Sequence, residues 1–111
     1  MDEKEYEHEL FGNVIFSYTD AEALQDGVLF GVEEYSRHKV NRVTANVYTW
    51  LGGFINEEGF PQQYRELEDV AIEALHESKD KDLVEFQYKG KRFWFMDNEV
   101  GGKTIMFPED Y

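Results

Sequence analysis

The chain has 111 residues, with 24 Asp and Glu against 11 Lys and Arg, and carries a net charge of −13 at neutral pH. That length supports one domain with one core, and 41% hydrophobic with 16% aromatic residues exclude a disordered chain, which is poor in both. The absence of cysteine excludes disulfides, Cys-ligated zinc and thiol nucleophiles, no apolar stretch nears the roughly 20 residues of a membrane span, and the acidic N-terminus is unlike a signal peptide, so the expectation is a cytoplasmic protein.

Residues 1–10 carry five acids against the single Lys4 and read as an acidic, solvated arm ahead of one domain spanning 11–111. Val14, Ile15, Phe16 and Tyr18 suggest a short extended segment. Thr19-Asp20-Ala21-Glu22 has the spacing of a capping box, which predicts a short helix stopping at Gly27. Val28, Leu29, Phe30 and Val32 then form an apolar run that fits a buried strand or the apolar approach to the next helix, the strand being preferred, and Glu33 to His38 reads as a helical turn. Thr44 is a candidate N-cap for a helix over Ala45 to Ile55, with Val47, Tyr48, Leu51 and Ile55 at helical spacing and Gly52-Gly53 weakening its end. After a loop from Asn56, Pro61 opens the strongest helix, running to about Ser78 with Tyr64, Leu67, Ala71, Ala74 and Leu75 inward.

Beyond Ser78 the period becomes extended. Leu83–Tyr88 and Arg92–Met96 flank Lys89-Gly90-Lys91 as a hairpin, and a third strand, Thr104–Phe107, follows Gly101-Gly102. The expected class is α+β: a single domain with helices packed on a C-terminal three-stranded antiparallel meander. Its expected core is Phe16, Leu24, Leu29, Val47, Leu51, Tyr64, Leu67, Ala71, Leu75, Phe86, Phe93, Phe95 and Ile105.

Chemistry is expected to lie in the acids. Glu66, Asp69, Glu73 and Glu77 recur at intervals of three, four and four on the long helix, so they share one face. Neighbours at that spacing sit about 5–6 Å apart, comparable with phosphates along a nucleic-acid strand. Any amphipathic helix of an acidic protein has an acidic outer face, and that reading competes with phosphate mimicry. The arm, Glu33-Glu34, Glu57-Glu58 and Glu109-Asp110 add the same sign and favour a basic partner. Asp80, Asp82 and Glu85 lack the glycine and terminal glutamate of an EF-hand, His8, His38 and His76 form no constellation, and Ser17 and Ser36 sit in no nucleophile elbow. Phe93-Trp94-Phe95 beside Arg92 is read as core rather than a base-stacking platform, because phosphates would meet a strongly negative protein. No catalytic motif, metal site or cofactor site is expected, and the protein is not expected to be an enzyme.

Three stretches are suggestive together: Tyr18 to Leu29, Val43-Thr44-Ala45-Asn46-Val47-Tyr48, and Thr104-Ile105-Met106-Phe107-Pro108-Glu109-Asp110-Tyr111. Their order and spacing resemble a family of small plasmid- and phage-borne proteins whose domain has no assigned function. The chain departs from that pattern at Asp20, where a basic residue is usual, and at Asn41-Arg42, which replaces a proline. The resemblance implies a mobile-element setting, in which small acidic proteins often inhibit host defence by occupying the nucleic-acid channel of a restriction or CRISPR effector. With the charge, it leads to the expectation of an acidic nucleic-acid mimic acting in a bacterial host cell. Its partner would be a basic nucleic-acid-binding protein, met through Glu57, Glu58, Glu66, Asp69, Glu73 and Glu77, with no direct contact to nucleic acid or membrane. The alternative is a small non-enzymatic accessory module that binds a protein through an apolar surface, its acidity serving solubility.

Overall fold

The computed structural model describes residues 18–111. The expected arm, the extended segment before Tyr18, and Phe16 of the expected core lie outside the described residues. Helix α1 (Asp20–Gln25) begins at the capping box: Thr19 Oγ1 accepts from the Glu22 amide at 3.1 Å, and Glu22 Oε1 accepts from the Thr19 amide at 3.0 Å. This short helix presents Ala23 to the interior, whereas Leu24, one position round the helix, is exposed and is not core. The chain turns at Gly27, whose φ of 74° suits a residue without Cβ, and enters strand β1 (Leu29–Gly31).

Strand β2 (Val40–Thr44) occupies residues in which the sequence reading places only an N-cap. It has no hydrophobic alternation to reveal it, since Val40, Arg42, Val43 and Thr44 are all buried and a strand covered on both faces loses the period of two. Thr44 nevertheless caps helix α2 (Ala45–Trp50), accepting from the Val47 amide at 3.4 Å. The helix does not run to Ile55: it ends against Gly52, whose φ of 83° lies outside helical geometry. Helix α3 (Phe60–Glu77) carries Pro61 in its first turn as expected. Strands β3 (Leu83–Tyr88) and β4 (Lys91–Asp97) form the hairpin, but its turn is two residues, Lys89-Gly90, both at positive φ (52° and 79°). Such a turn matches the right-handed strand twist. Strand β5 (Lys103–Met106) and a 3₁₀ turn (Pro108–Asp110) close the chain.

The class is α+β, but the sheet is not a three-stranded meander. Strands β3, β4 and β5 do run antiparallel in sequence, and β5 then takes β2 as a parallel neighbour, giving five strands in the order β1-β2-β5-β4-β3. Val43 pairs with Ile105 and Phe30 with Val43, so one face lines up Phe30, Val43, Ile105, Phe95, Phe93, Val84 and Phe86. Val47 of α2, Leu51 at its C-cap, and Phe60, Tyr64, Leu67 and Ala71 of α3 pack on it. Every described member of the expected core is in or against this cluster or the buried Leu29, except Leu24.

The other face buries Leu29, Arg42, Thr44, Thr104 and Met106. Arg42, only 7% exposed, holds α1 to it. Its Nε and Nη2 donate to the two carboxylate oxygens of Asp20 at 2.9 and 2.8 Å, and Nη1 donates to Glu33 Oε2 at 2.8 Å. The bidentate fork is the strongest arrangement of this pair. Its charges raise the guanidinium pKa further, Asp20 contributing most, and the Arg42 bond holds the Glu33 carboxyl below its usual range. Removing one member of a buried pair strands the other, so Arg42→Ala should lower the unfolding free energy by about 3–5 kcal/mol. Asp20→Ala should be comparably harmful, and the double variant clearly less harmful than the sum, when measured by urea unfolding; strict additivity would show that the two residues are not coupled.

Candidate partner-binding surface

Helix α3 positions the sequence-predicted acids. Phe60, Tyr64, Leu67 and Ala71 face the sheet, while Glu66, Asp69, Glu73 and Glu77 are all exposed. At 3.6 residues per turn the four carboxylates occupy a stripe about 80° wide, opposite the buried row and about 16 Å long. Exposed Gln62 stands one turn before Glu66 and extends the stripe without charge. Among the described residues the ion pairs join Arg42 to Asp20 and Glu33, Arg92 to Glu85, and Lys103 to Asp97. None reaches the stripe. Among the described residues Glu66 is the member of the stripe with a side-chain partner, accepting from the Tyr88 hydroxyl at 2.9 Å.

Glu57 and Glu58 are exposed in the turn before α3 and do not continue this row. They stand about two helical turns ahead of Glu66, near a different acid. Burial, then the charge of Glu34 and, more weakly, Glu57, raises the Tyr35 hydroxyl pKa, so both carboxylates stand near that ring. The six expected residues therefore form two acidic groups, one along α3 and one at its N-terminal end.

Three other acids are committed to the fold. Asp20 and Glu33 hold Arg42. Asp110, read in the sequence only as added charge, accepts from Thr44 Oγ1 and Asn46 Nδ2 at 2.6 Å each and from the Phe107 amide at 3.1 Å. It ties the chain's end to the cap of α2.

Glu68 was not singled out by the sequence reading. Its side chain is buried, 1% exposed, where Oε1 accepts from the Tyr64 hydroxyl at 2.5 Å and Oε2 from the Arg37 amide at 2.9 Å. The contact pins the turn after β1 to α3. The signal was present: Tyr64, Leu67, Glu68 and Ala71 fall at i, i+3, i+4 and i+7, placing Glu68 on the inner face.

Among the described residues no other constellation competes with the acidic stripe. Among the described residues no group of three or more His, Cys, Asp or Glu is placed to hold a metal ion, and His38 and His76 are exposed on separate elements. A pocket of about 220 Å³ lies between α1 and the β4–β5 loop, against Asp20, Leu29, Asp97 and Glu99. Its carboxylates are already occupied: Asp20 by Arg42, Asp97 by Lys103, and Glu99 by the Asp20 amide at 3.0 Å. Among the described residues no helix is long and apolar enough to cross a membrane. No protein-family model, curated protein or solved structure matches the chain.

The two tyrosines bonded to these glutamates should control alkaline stability. Burial first, and then Glu66, pushes Tyr88 up to about 12 from 10.0. Burial and then Glu68 raise Tyr64 as well. The native state holds these protons more tightly than the unfolded chain, so the contribution is complete below about pH 10 and is lost as pH rises through the native values. Urea midpoints should therefore fall between about pH 9 and about pH 11.5, and the fall should be shallower in Tyr88→Phe. Equal midpoints across that range would show that neither tyrosine is linked to stability.

Proposed function

We propose that the protein is an acidic nucleic-acid mimic that inhibits a basic nucleic-acid-binding protein by occupying its phosphate-binding groove. The observation that carries this reading is the α3 stripe, where Glu66, Asp69, Glu73 and Glu77 face outward and no Lys or Arg among the described residues pairs with them. Like charges at helical spacing destabilise a helix by a few tenths of a kcal/mol per pair, roughly the magnitude that opposite charges contribute. A row of uncompensated acids is therefore a standing cost to the fold, and a cationic partner offsets it on binding.

The mechanism is competition. Lys and Arg that would neutralise phosphates and release their counterions instead face carboxylates spaced about a helical turn apart. The long-range negative field accelerates encounter with such a groove and keeps nucleic acid itself away. Each exposed pair contributes only about 0–1 kcal/mol, so the effect depends on several acting together. No bond is made or broken, and no cofactor is required. A restriction or CRISPR nuclease of a bacterial host is the class of target that this reading, together with the sequence resemblance, favours.

Immobilised protein should retain nucleic-acid-binding proteins from bacterial lysate at low salt and release them to added duplex DNA or RNA. A folded variant carrying Glu66→Lys, Asp69→Lys, Glu73→Lys and Glu77→Lys should lose that retention, while any one substitution weakens it no more than about fivefold. Retention that is unchanged in the fourfold variant, or that nucleic acid does not displace, would remove the stripe as the mimic.

A further inference from the structure

The turn between α2 and α3 is built to display two apolar side chains. Gly52 ends α2 at φ 83°, and Gly53 lies beneath the Tyr48 ring so closely that a Cβ there would come within 2.3 Å of it. The Tyr48 hydroxyl donates to the Gly53 carbonyl at 3.2 Å, and the Ile55 and Asn56 amides donate to the Gly52 carbonyl at 3.2 and 2.8 Å. Asn56 Oδ1 then accepts from the Gly59 amide at 3.1 Å, closing the turn onto the start of α3. Backbone and side chain thus hold the turn throughout, and its tip is apolar. Phe54 is 61% exposed and Ile55 91% exposed.

Phe54 is ordered from below by edge-on contacts with Phe30 and Tyr48, ring centroids 5.5 and 4.9 Å away. Ile55 has no comparable packing, so its exposure contributes little to the fold. A rigid support bearing an exposed aromatic and an aliphatic residue is what an interface anchor requires, because little ordering entropy remains to be lost on binding. Directly after the tip come exposed Glu57 and Glu58, leading into the helix that carries the stripe. An anionic lipid surface would be repelled by these acids. A protein surface with an apolar socket and a Lys/Arg rim is complementary to both parts of the turn.

We infer that the Gly52–Glu58 turn is the anchor of the partner interface, with Phe54 and Ile55 entering an apolar socket on the cationic partner while Glu57 and Glu58 meet its rim. The inference rests on the acidic-mimic reading and divides the work within it. Charge on α3 sets encounter rate and salt dependence, and the tip sets residence time. Ile55 is the informative position, since its substitution leaves the supporting contacts intact.

Two probes test this: a peptide alternating lysine with leucine, and an oligolysine of equal charge, each titrated into the isotope-labelled protein. The lysine–leucine peptide should shift the Ile55 methyl signals and the amides of Glu66 to Glu77, and oligolysine should shift only the latter. Ile55→Ser should weaken the lysine–leucine peptide roughly tenfold or more while leaving oligolysine affinity unchanged, and Ile55→Leu should retain both. Unmoved Ile55 methyls, or equal affinity of Ile55→Ser and the native protein for the lysine–leucine peptide, would overturn the anchor while leaving the stripe reading intact. Failure of oligolysine to bind the native protein at low salt would remove both. Ile55-dependent binding to phosphatidylcholine vesicles, with or without phosphatidylglycerol, would also overturn it by assigning the tip to a membrane.

Discussion

The parallel pairing of β2 with β5 is the constraint on which the rest of the domain depends. It joins the N-terminal part of the sheet to β5, the last strand of the C-terminal meander, which the chain reaches only after α2, α3, β3 and β4 have been laid down. A hairpin sets its own register through its turn, but a parallel pair separated by such a span has no turn to do so. Here polar side chains at both ends of β2 perform that role. At one end Asn98 donates to Asn41 Oδ1 at 2.7 Å and to Thr104 Oγ1 at 3.0 Å, and Gly102 lies against Asn41 where a Cβ would clash at 2.6 Å. At the other end Asp110 receives Thr44 and Asn46. Between them Arg42 carries the register across to α1. With β2 fixed, Thr44 caps α2 over the apolar face, and α2 in turn delivers the displayed turn and the start of α3.

What could be read in the sequence was local, and what could not was the meeting of distant parts. The capping box at Thr19, the Thr44 cap, the long helix and the hairpin each depend on chemistry within a few residues, and each stands where the pattern places it. Strand β2 was illegible because a polar Asn41-Arg42 pair in a doubly covered strand mimics a break. The end of α2 was overrun because Ile55 fits a helical period, while the positive φ of Gly52 puts it on a turn instead. The acidic stripe was legible as a shared helix face, whereas Glu57 and Glu58 fall in the turn before α3 and so belong to no face of that helix. Distant stretches of chain also converge: residues 18–29 meet residues 43–48 through the Leu29–Thr44 pairing and the Ala45 amide on the Val28 carbonyl, and residues 43–48 meet the chain's last residues through Thr44, Asn46 and Asp110.

The same geometry sorts the acids of an apparently uniform charge. Asp20, Glu33, Glu68 and Asp110 accept hydrogen bonds that hold α1, the turn after β1 and the chain end. Cations are used within the sheet and its loops, where Arg92 pairs with Glu85 and Lys103 with Asp97. Asp69, Glu73 and Glu77 lie on the side of α3 that the fold does not use, and Glu66 beside them meets the sheet through the Tyr88 hydroxyl. Self-repulsion along that row opposes folding, and the proposed function gives the row its purpose.

The most direct test of that division is the stability of a charge-neutral stripe, Glu66→Gln, Asp69→Asn, Glu73→Gln and Glu77→Gln, measured by urea unfolding across ionic strength. If the stripe serves a partner and not the fold, the neutral variant is at least as stable as the native protein at low salt, and the two converge as the Debye length shortens to about 3 Å near 1 M salt. A neutral variant less stable than the native protein at every salt concentration would show that these carboxylates hold the domain together and would contradict the account.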